Sequence, residues 1–190
     1  MSARDALVEA AARAFAAHGY HGVSMRDLAR STGRSPATFY SHFASKQELL
    51  FSIQRDAFDA LIAGAEETVA AADGAEARLR AFIRHHVRYF TAHVDMMRVL
   101  IHEASVLPSP ARALVRARKE RYFAIARELV AAVMRARSEA PLDARAVERA
   151  TYCAFGMLNW TYAWYRADEH GSVEELADTI FAILAGRPCA

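Results

Sequence analysis

The chain has 190 residues, 54% of them apolar, with 24 basic and 22 acidic side chains. That composition builds a buried core, and 8 glycines and 5 prolines are too few for a loop-rich or fibrous chain. The 2 cysteines, Cys153 and Cys189, give neither a disulfide framework nor a zinc site, and no apolar run is long enough to span a bilayer.

Helix formers dominate and period-two runs of Val, Ile and Thr are missing, so the chain reads as all-α. A first helix is expected from Ala3 to His18, with Leu7, Val8, Ala11, Ala14 and Phe15 on one stripe and Gly19 as its stop. The N-terminus thus reads as a helix rather than a secretion signal, which places the protein in the cytoplasm. Ser24 is suited to cap a second helix running to Thr32, and Gly33 makes the turn. Ser35 and Pro36 open a short third helix to His42, and Ser45 with Glu48 forms a capping box for a long fourth helix to Ala71. Phe51, Phe58, Leu61, Ile62 and Val69 are its buried positions.

Asp73-Gly74 breaks the chain before a helix over Ala75–Ala92, followed by one over Met96–Val106. Beyond Pro108 and Pro110 a long amphipathic helix spans Ala111–Arg137, turning Leu114, Val115, Tyr122, Ile125, Leu129, Val133 and Met134 inward. Two further helices are expected over Leu142–Tyr165 and Val173–Ala185.

The segment Val23–Leu50, helix, tight turn, short helix and capped long helix, is the pattern of a helix-turn-helix DNA reader. The positive excess of the chain lies here: residues 1–50 hold six basic and four acidic side chains, and the other 140 hold eighteen of each. Arg34, Ser35, Ala37 and Thr38 stand where a recognition helix meets base edges: Arg34 can pair with guanine, Thr38 can touch a thymine methyl, and Ala37 allows close approach. Tyr40, His42 and Lys46 suit phosphate oxygens, with Ser24 at the start of the supporting helix. The same Phe-Tyr-Ser-His-Phe run also reads as a plain aromatic core.

Gly19-Tyr20, Ser24, Leu28-Ala29, Gly33, Thr38-Phe39-Tyr40, His42-Phe43, Lys46 and Leu49-Leu50 together closely resemble the DNA-binding domain of TetR-family transcriptional regulators, over about residues 4–50. The resemblance implies a homodimer on an operator of double-stranded DNA, with residues 1–50 as the helix-turn-helix domain and residues 51–190 as a ligand-binding and dimerisation domain. It carries phosphate contacts over to Tyr40 and Lys46. A repressor released by a small hydrophobic effector, such as an acyl-CoA, is the expected function, with a response to a non-CoA hydrophobic or aromatic ligand, or an activator, as the alternative.

In the second half, Tyr89, His93, Met97, Tyr122, Phe155, Asn159, Trp160 and Tyr162 are the candidate ligand-binding residues, although aromatic residues at helical spacing are often core alone. The stretch Phe155–Arg166 resembles members of the family that respond to acyl-CoA thioesters, departing from them at Ala163 and Ala167. Phosphates of such a ligand would need cations, and Arg80, Arg84 and Arg88 on one helix, or Arg112, Arg116 and Arg118 on another, could supply them. Ala146, Ala150, Ala154, Met157 and Thr161, with Leu176, Ile180, Phe181 and Leu184, form the expected dimer face. There is no H-E-x-x-H, paired cysteine, phosphate loop or nucleophile elbow, so no catalytic residue, metal or cofactor is expected.

Overall fold

The computed structural model describes residues 2–103 and 105–186; Cys189 lies outside them. Within the described residues every regular element is helical: α1 (Ala3–His18), α2 (Met25–Ser31), α3 (Pro36–Tyr40), α4 (Lys46–Ala70), α5 (Ala75–Ala92), α6 (Val94–His102), α7 (Ser109–Arg137), α8 (Ala144–Trp164), α9 (Ala167–His170) and α10 (Val173–Leu184).

Side-chain caps set most of the starts. Ser2, Ser24 and Ser172 each accept from a backbone N–H, and Asp5, Asp27 and Glu175 return the bond. At α4 the expected box is skewed: Ser45 Oγ accepts from Glu48 N at 3.1 Å, but the Glu48 carboxylate reaches back to Ala44 N at 2.6 Å. Helix α7 begins at Ser109, earlier than expected, because Pro110 in a first turn has no N–H to lose. Helix α3 stops at Tyr40 rather than His42: His42 N donates to Phe39 O only three residues back, and Phe43 is buried in the core. Helix α6 starts earlier and stops sooner than expected, over Val94–His102. The four-residue α9 was not foreseen.

The chain folds into two compact units, each drawing on separated stretches. The first comprises Met1–Asp59 with His93–Arg118, the second Ala60–Ala92 with Lys119–Ala190. Helices α4 and α7 each contribute to both.

In the first unit Leu7, Ala11 and Phe15 of α1 pack with Leu28, Phe39, Phe43, Leu49 and Ile53, and Val99, Leu107 and Val115 complete the core. Helix α1 lies against α6. Glu103, at the end of α6, accepts from Tyr20 N at 2.9 Å, and its carbonyl accepts from Gln54 Nε2 at 3.1 Å. Leu114, expected inward, is 53% exposed, and its neighbour Val115 takes the buried position.

In the second unit α5 packs on α10 and α8 through Leu79, Phe82, Ile83, Val87 and Phe90. Phe181, Ile180 and Ala177 face it from α10, and Ala154 and Leu158 are buried on α8. Val69, Ile125 and Met134 are half-buried rather than core. Arg137 clamps three elements, bonding Glu76 of α5 at 2.6 Å and the Ala185 carbonyl after α10 at 2.7 Å.

Candidate nucleic-acid interface and effector site

The turn between α2 and α3 closes as a Schellman motif. Arg34 N donates to Ala29 O at 3.0 Å and Gly33 N to Arg30 O at 3.2 Å, with Gly33 at φ +64°. This places Arg34, Ser35 and Ala37 in the open at the start of α3, where a recognition helix meets base edges. Thr38 is half-buried and its hydroxyl lies 3.1 Å from that of Ser35, which also caps Thr38 N at 3.3 Å. Tyr40 is 55% exposed and His42 is exposed, while Phe39 and Phe43 are fully buried, so the aromatic run divides between surface and core.

Two of the expected contacts have structural partners. The Ser24 hydroxyl donates to Asp27 at 2.6 Å, and these bonds hold the Asp27 carboxyl below the ordinary carboxylate range. Lys46 is half-buried: its Nζ donates to Tyr20 O at 3.0 Å and Val23 O at 2.8 Å, and stands 4.1 Å from the Tyr20 ring centre. The loop it grips is tight, because a Cβ at Gly22 would collide with the His18 carbonyl.

The second unit holds an aromatic cluster. Phe82, His86 and Phe90 lie along α5, Tyr122 and Phe123 on α7, and Tyr152 and Phe155 on α8. His86 is fully buried and stacks on Phe90 with centroids 3.9 Å apart. Its Nδ1 is 3.1 Å from the Tyr122 hydroxyl, while Nε2 has no hydrogen-bond partner. Burial, and to a lesser degree the neighbouring His85, pushes the His86 imidazole down to about 3, so it is neutral near pH 7. Burial likewise raises the Tyr122 phenol above its ordinary value.

Of the residues expected at a ligand site, Tyr122, Phe155 and Tyr162 are in the second unit, the first and last buried and Phe155 half-buried. Tyr89 and Asn159 are half-buried there. Trp160 is 58% exposed, outside the cluster. His93 and Met97 belong to the first unit, His93 exposed ahead of α6 and Met97 fully buried within it. Phe82 and His86 were not among the expected residues; the Phe82–His86–Phe90 spacing of four is the signal that marks them. The arginines of α5 are already committed, Arg84 gripping both carboxylate oxygens of Asp178 at 2.9 and 2.8 Å and Arg88 bonding Glu174 at 2.7 Å. Arg118 bonds Asp59 at 2.7 Å.

A sequence model described as "Bacterial regulatory proteins, tetR family" matches residues 7–53, and one described as "Tetracyclin repressor-like, C-terminal domain" matches residues 72–186. The chain belongs to the TetR family of DNA-binding transcriptional regulators. This TetR-family chain is 36% identical over 56 residues to the HTH-type transcriptional repressor AcnR of Corynebacterium efficiens, a match that spans only 30% of either chain. It is 43% identical over 67 residues to the regulator BetI of Agrobacterium fabrum, covering 31% of this chain and 32% of BetI.

Solved structures align along nearly its whole length. PfmR, a TetR-family regulator from Thermus thermophilus, has a TM-score of 0.83 at 29% identity, covering 95% of this chain and 97% of PfmR. AibR, in complex with isovaleryl coenzyme A and operator DNA, has a TM-score of 0.83 at 27% identity, covering 97% and 99%. Members of this family regulate transcription rather than catalyse reactions. No helix among the described residues is long and apolar enough to cross a membrane, and none of their His, Cys, Asp and Glu side chains cluster to hold a metal.

Proposed function

We propose that this regulator is a homodimeric repressor that leaves its operator when a small hydrophobic acyl thioester binds the second unit. The buried polar pair of His86 and Tyr122 inside an aromatic cluster carries the reading, because apolar walls with few polar groups suit an apolar ligand with one recognisable end. AibR, similar over nearly its whole length and bound to isovaleryl coenzyme A, supports the thioester class.

Residues 1–50 carry the DNA contacts and residues 51–190 the effector and the dimer contacts. Arg34, Ser35, Ala37 and Thr38 read bases; Tyr40, His42 and Lys46, with Ser24, fix the backbone. Two recognition helices about 34–36 Å apart meet successive major grooves. A ligand that binds more tightly to a dimer of another spacing weakens DNA binding by that difference in affinity. Helix α4, which starts at Lys46 and supplies both units, is the element through which the two equilibria are coupled.

The test uses DNA fragments selected by the full chain from a random pool. Anisotropy titrations with isovaleryl-CoA are expected to weaken DNA binding, while coenzyme A and free isovalerate do not. Release by free acids or other aromatic compounds, with no thioester effective, would sink the thioester reading. Tighter DNA binding with the thioester would overturn release and make the thioester a ligand that recruits the protein to DNA.

A further inference from the structure

The rings of the second unit form a continuous row from the surface inward. Tyr152, 61% exposed, meets Phe123 at 4.7 Å between centroids; Phe123 stacks on Phe155 at 5.5 Å; Phe155 meets His86 at 5.9 Å. The row thus ends on an imidazole with no exposed surface.

The hydrogen bond between His86 and Tyr122 decides which hydrogen that imidazole carries. A neutral imidazole has one donor and one acceptor nitrogen, and its acceptor nitrogen is a stronger base than a phenol oxygen. A Tyr122 hydroxyl that donates to Nδ1 leaves the ring hydrogen on Nε2, the atom with no partner. A buried N–H without an acceptor is unfavourable, and any ligand that brings an acceptor there relieves it.

We propose that the Nε2–H of His86 recognises a neutral carbonyl oxygen of the effector, whose apolar body lies along the ring row from Tyr152. The proposal rests on the reading that the second unit binds an effector, and it names the chemistry of the recognised end. A carboxylate is the wrong partner, because a buried anion needs a cation. Arg80, Arg84 and Arg88 of α5 are turned to Asp178 and Glu174 on α10, Arg78 bonds the Ala72 carbonyl, and burial opposes protonation of His86 itself. A thioester, ketone or amide carbonyl accepts the hydrogen without bringing charge. Tyr122 is the positioning residue, acting through the tautomer it imposes.

Long-range proton–nitrogen NMR on the labelled full chain reads the tautomer directly. The expected result is protonated Nε2 with unprotonated Nδ1, and a shift of the Nε2 signal when isovaleryl-CoA is added. By calorimetry the wild-type chain should prefer isovaleryl-CoA over the S-isopentyl thioether of coenzyme A, which lacks the carbonyl, by about tenfold. His86→Phe keeps a ring against Phe90 and should bind the two alike; Tyr122→Phe should mix the tautomers and shrink the preference. A protonated Nδ1 in the wild type, or an undiminished preference in His86→Phe, overturns the proposal. If no thioester binds, the effector reading fails separately, and cyclohexanone against cyclohexane decides this one. A ketone preference that His86→Phe abolishes upholds it, and no carbonyl probe moving the Nε2 signal overturns it.

Discussion

Lys46 shows how far a single residue can be read from sequence. Its place at the start of α4, just after α3, reads in the sequence as a phosphate contact. The carbonyls it grips, those of Tyr20 and Val23, belong to a loop 26 and 23 residues away, a pairing that only the fold creates. Two of the three ammonium hydrogens are spent on that loop, which leaves one for DNA. Tyr40, by contrast, is 55% exposed and in no such clamp. The two residues should therefore separate on mutation. Tyr40→Phe should weaken DNA binding about five- to tenfold on every sequence, by one hydrogen bond to a charged oxygen, with no change in Tm. Lys46→Ala should weaken DNA binding and also cost about 2 kcal/mol of stability, on the order of 4–8 °C in Tm for a chain of this size. Anisotropy and calorimetry on both variants check this, and an unchanged Tm for Lys46→Ala would show that the clamp contributes nothing.

At the scale of the element, starts were legible where a side chain makes the cap, as at Ser24, Ser35 and Ser172. They were not where the backbone turns without one: His93 gives α6 no side-chain cap, and neither does Arg166 ahead of α9. Packing between elements was hidden too, and Gly64 in α4 is the clearest case. A Cβ there would collide with the His85 imidazole of α5, whose Nε2 donates to Leu61 O at 3.0 Å. Glycine inside a helix costs roughly 1 kcal/mol against alanine. In the wild type that gain should vanish on Gly64→Ala, because the imidazole must leave its carbonyl, a loss of similar size. With His85→Ala already made, Gly64→Ala should stabilise by about 1 kcal/mol. Urea denaturation of the four chains gives the coupling; additivity to within about 0.3 kcal/mol would mean that His85 does not select the glycine.

For the whole molecule, the class was legible, and the side of α8 that stays open was not. Helix α8 is apolar on more than one side, so its periodicity could not say which side turns inward. The stripe expected to pair, Ala146, Ala150, Ala154, Met157 and Thr161, is in part taken up by the chain's own packing: Ala154 and Thr161 are buried and the other three half-buried. Leu176, Ile180 and Phe181 of α10 are buried as well, and Leu184 is half-buried. The side left open carries Tyr152 and Cys153, then Gly156, Trp160 and Trp164 further along α8, and Ile183 is open on α10, with Trp160 and Ile183 at 58% and 52% exposure. Large exposed apolar side chains are suited to a surface that a partner covers, and glycine in the stripe would let that partner approach closely. If a second copy of the chain is that partner, Trp160→Arg with Ile183→Glu should yield a monomer in sedimentation equilibrium while the helical circular dichroism stays unchanged. The loss should extend to DNA. A dimer holds its second recognition helix at high local concentration once the first has docked, and severing it should weaken operator binding by about a hundredfold or more. Ala154→Glu is the contrasting variant: it places a charge in the core and should lower Tm first. A double variant that still sediments as a dimer would move the interface off this stripe.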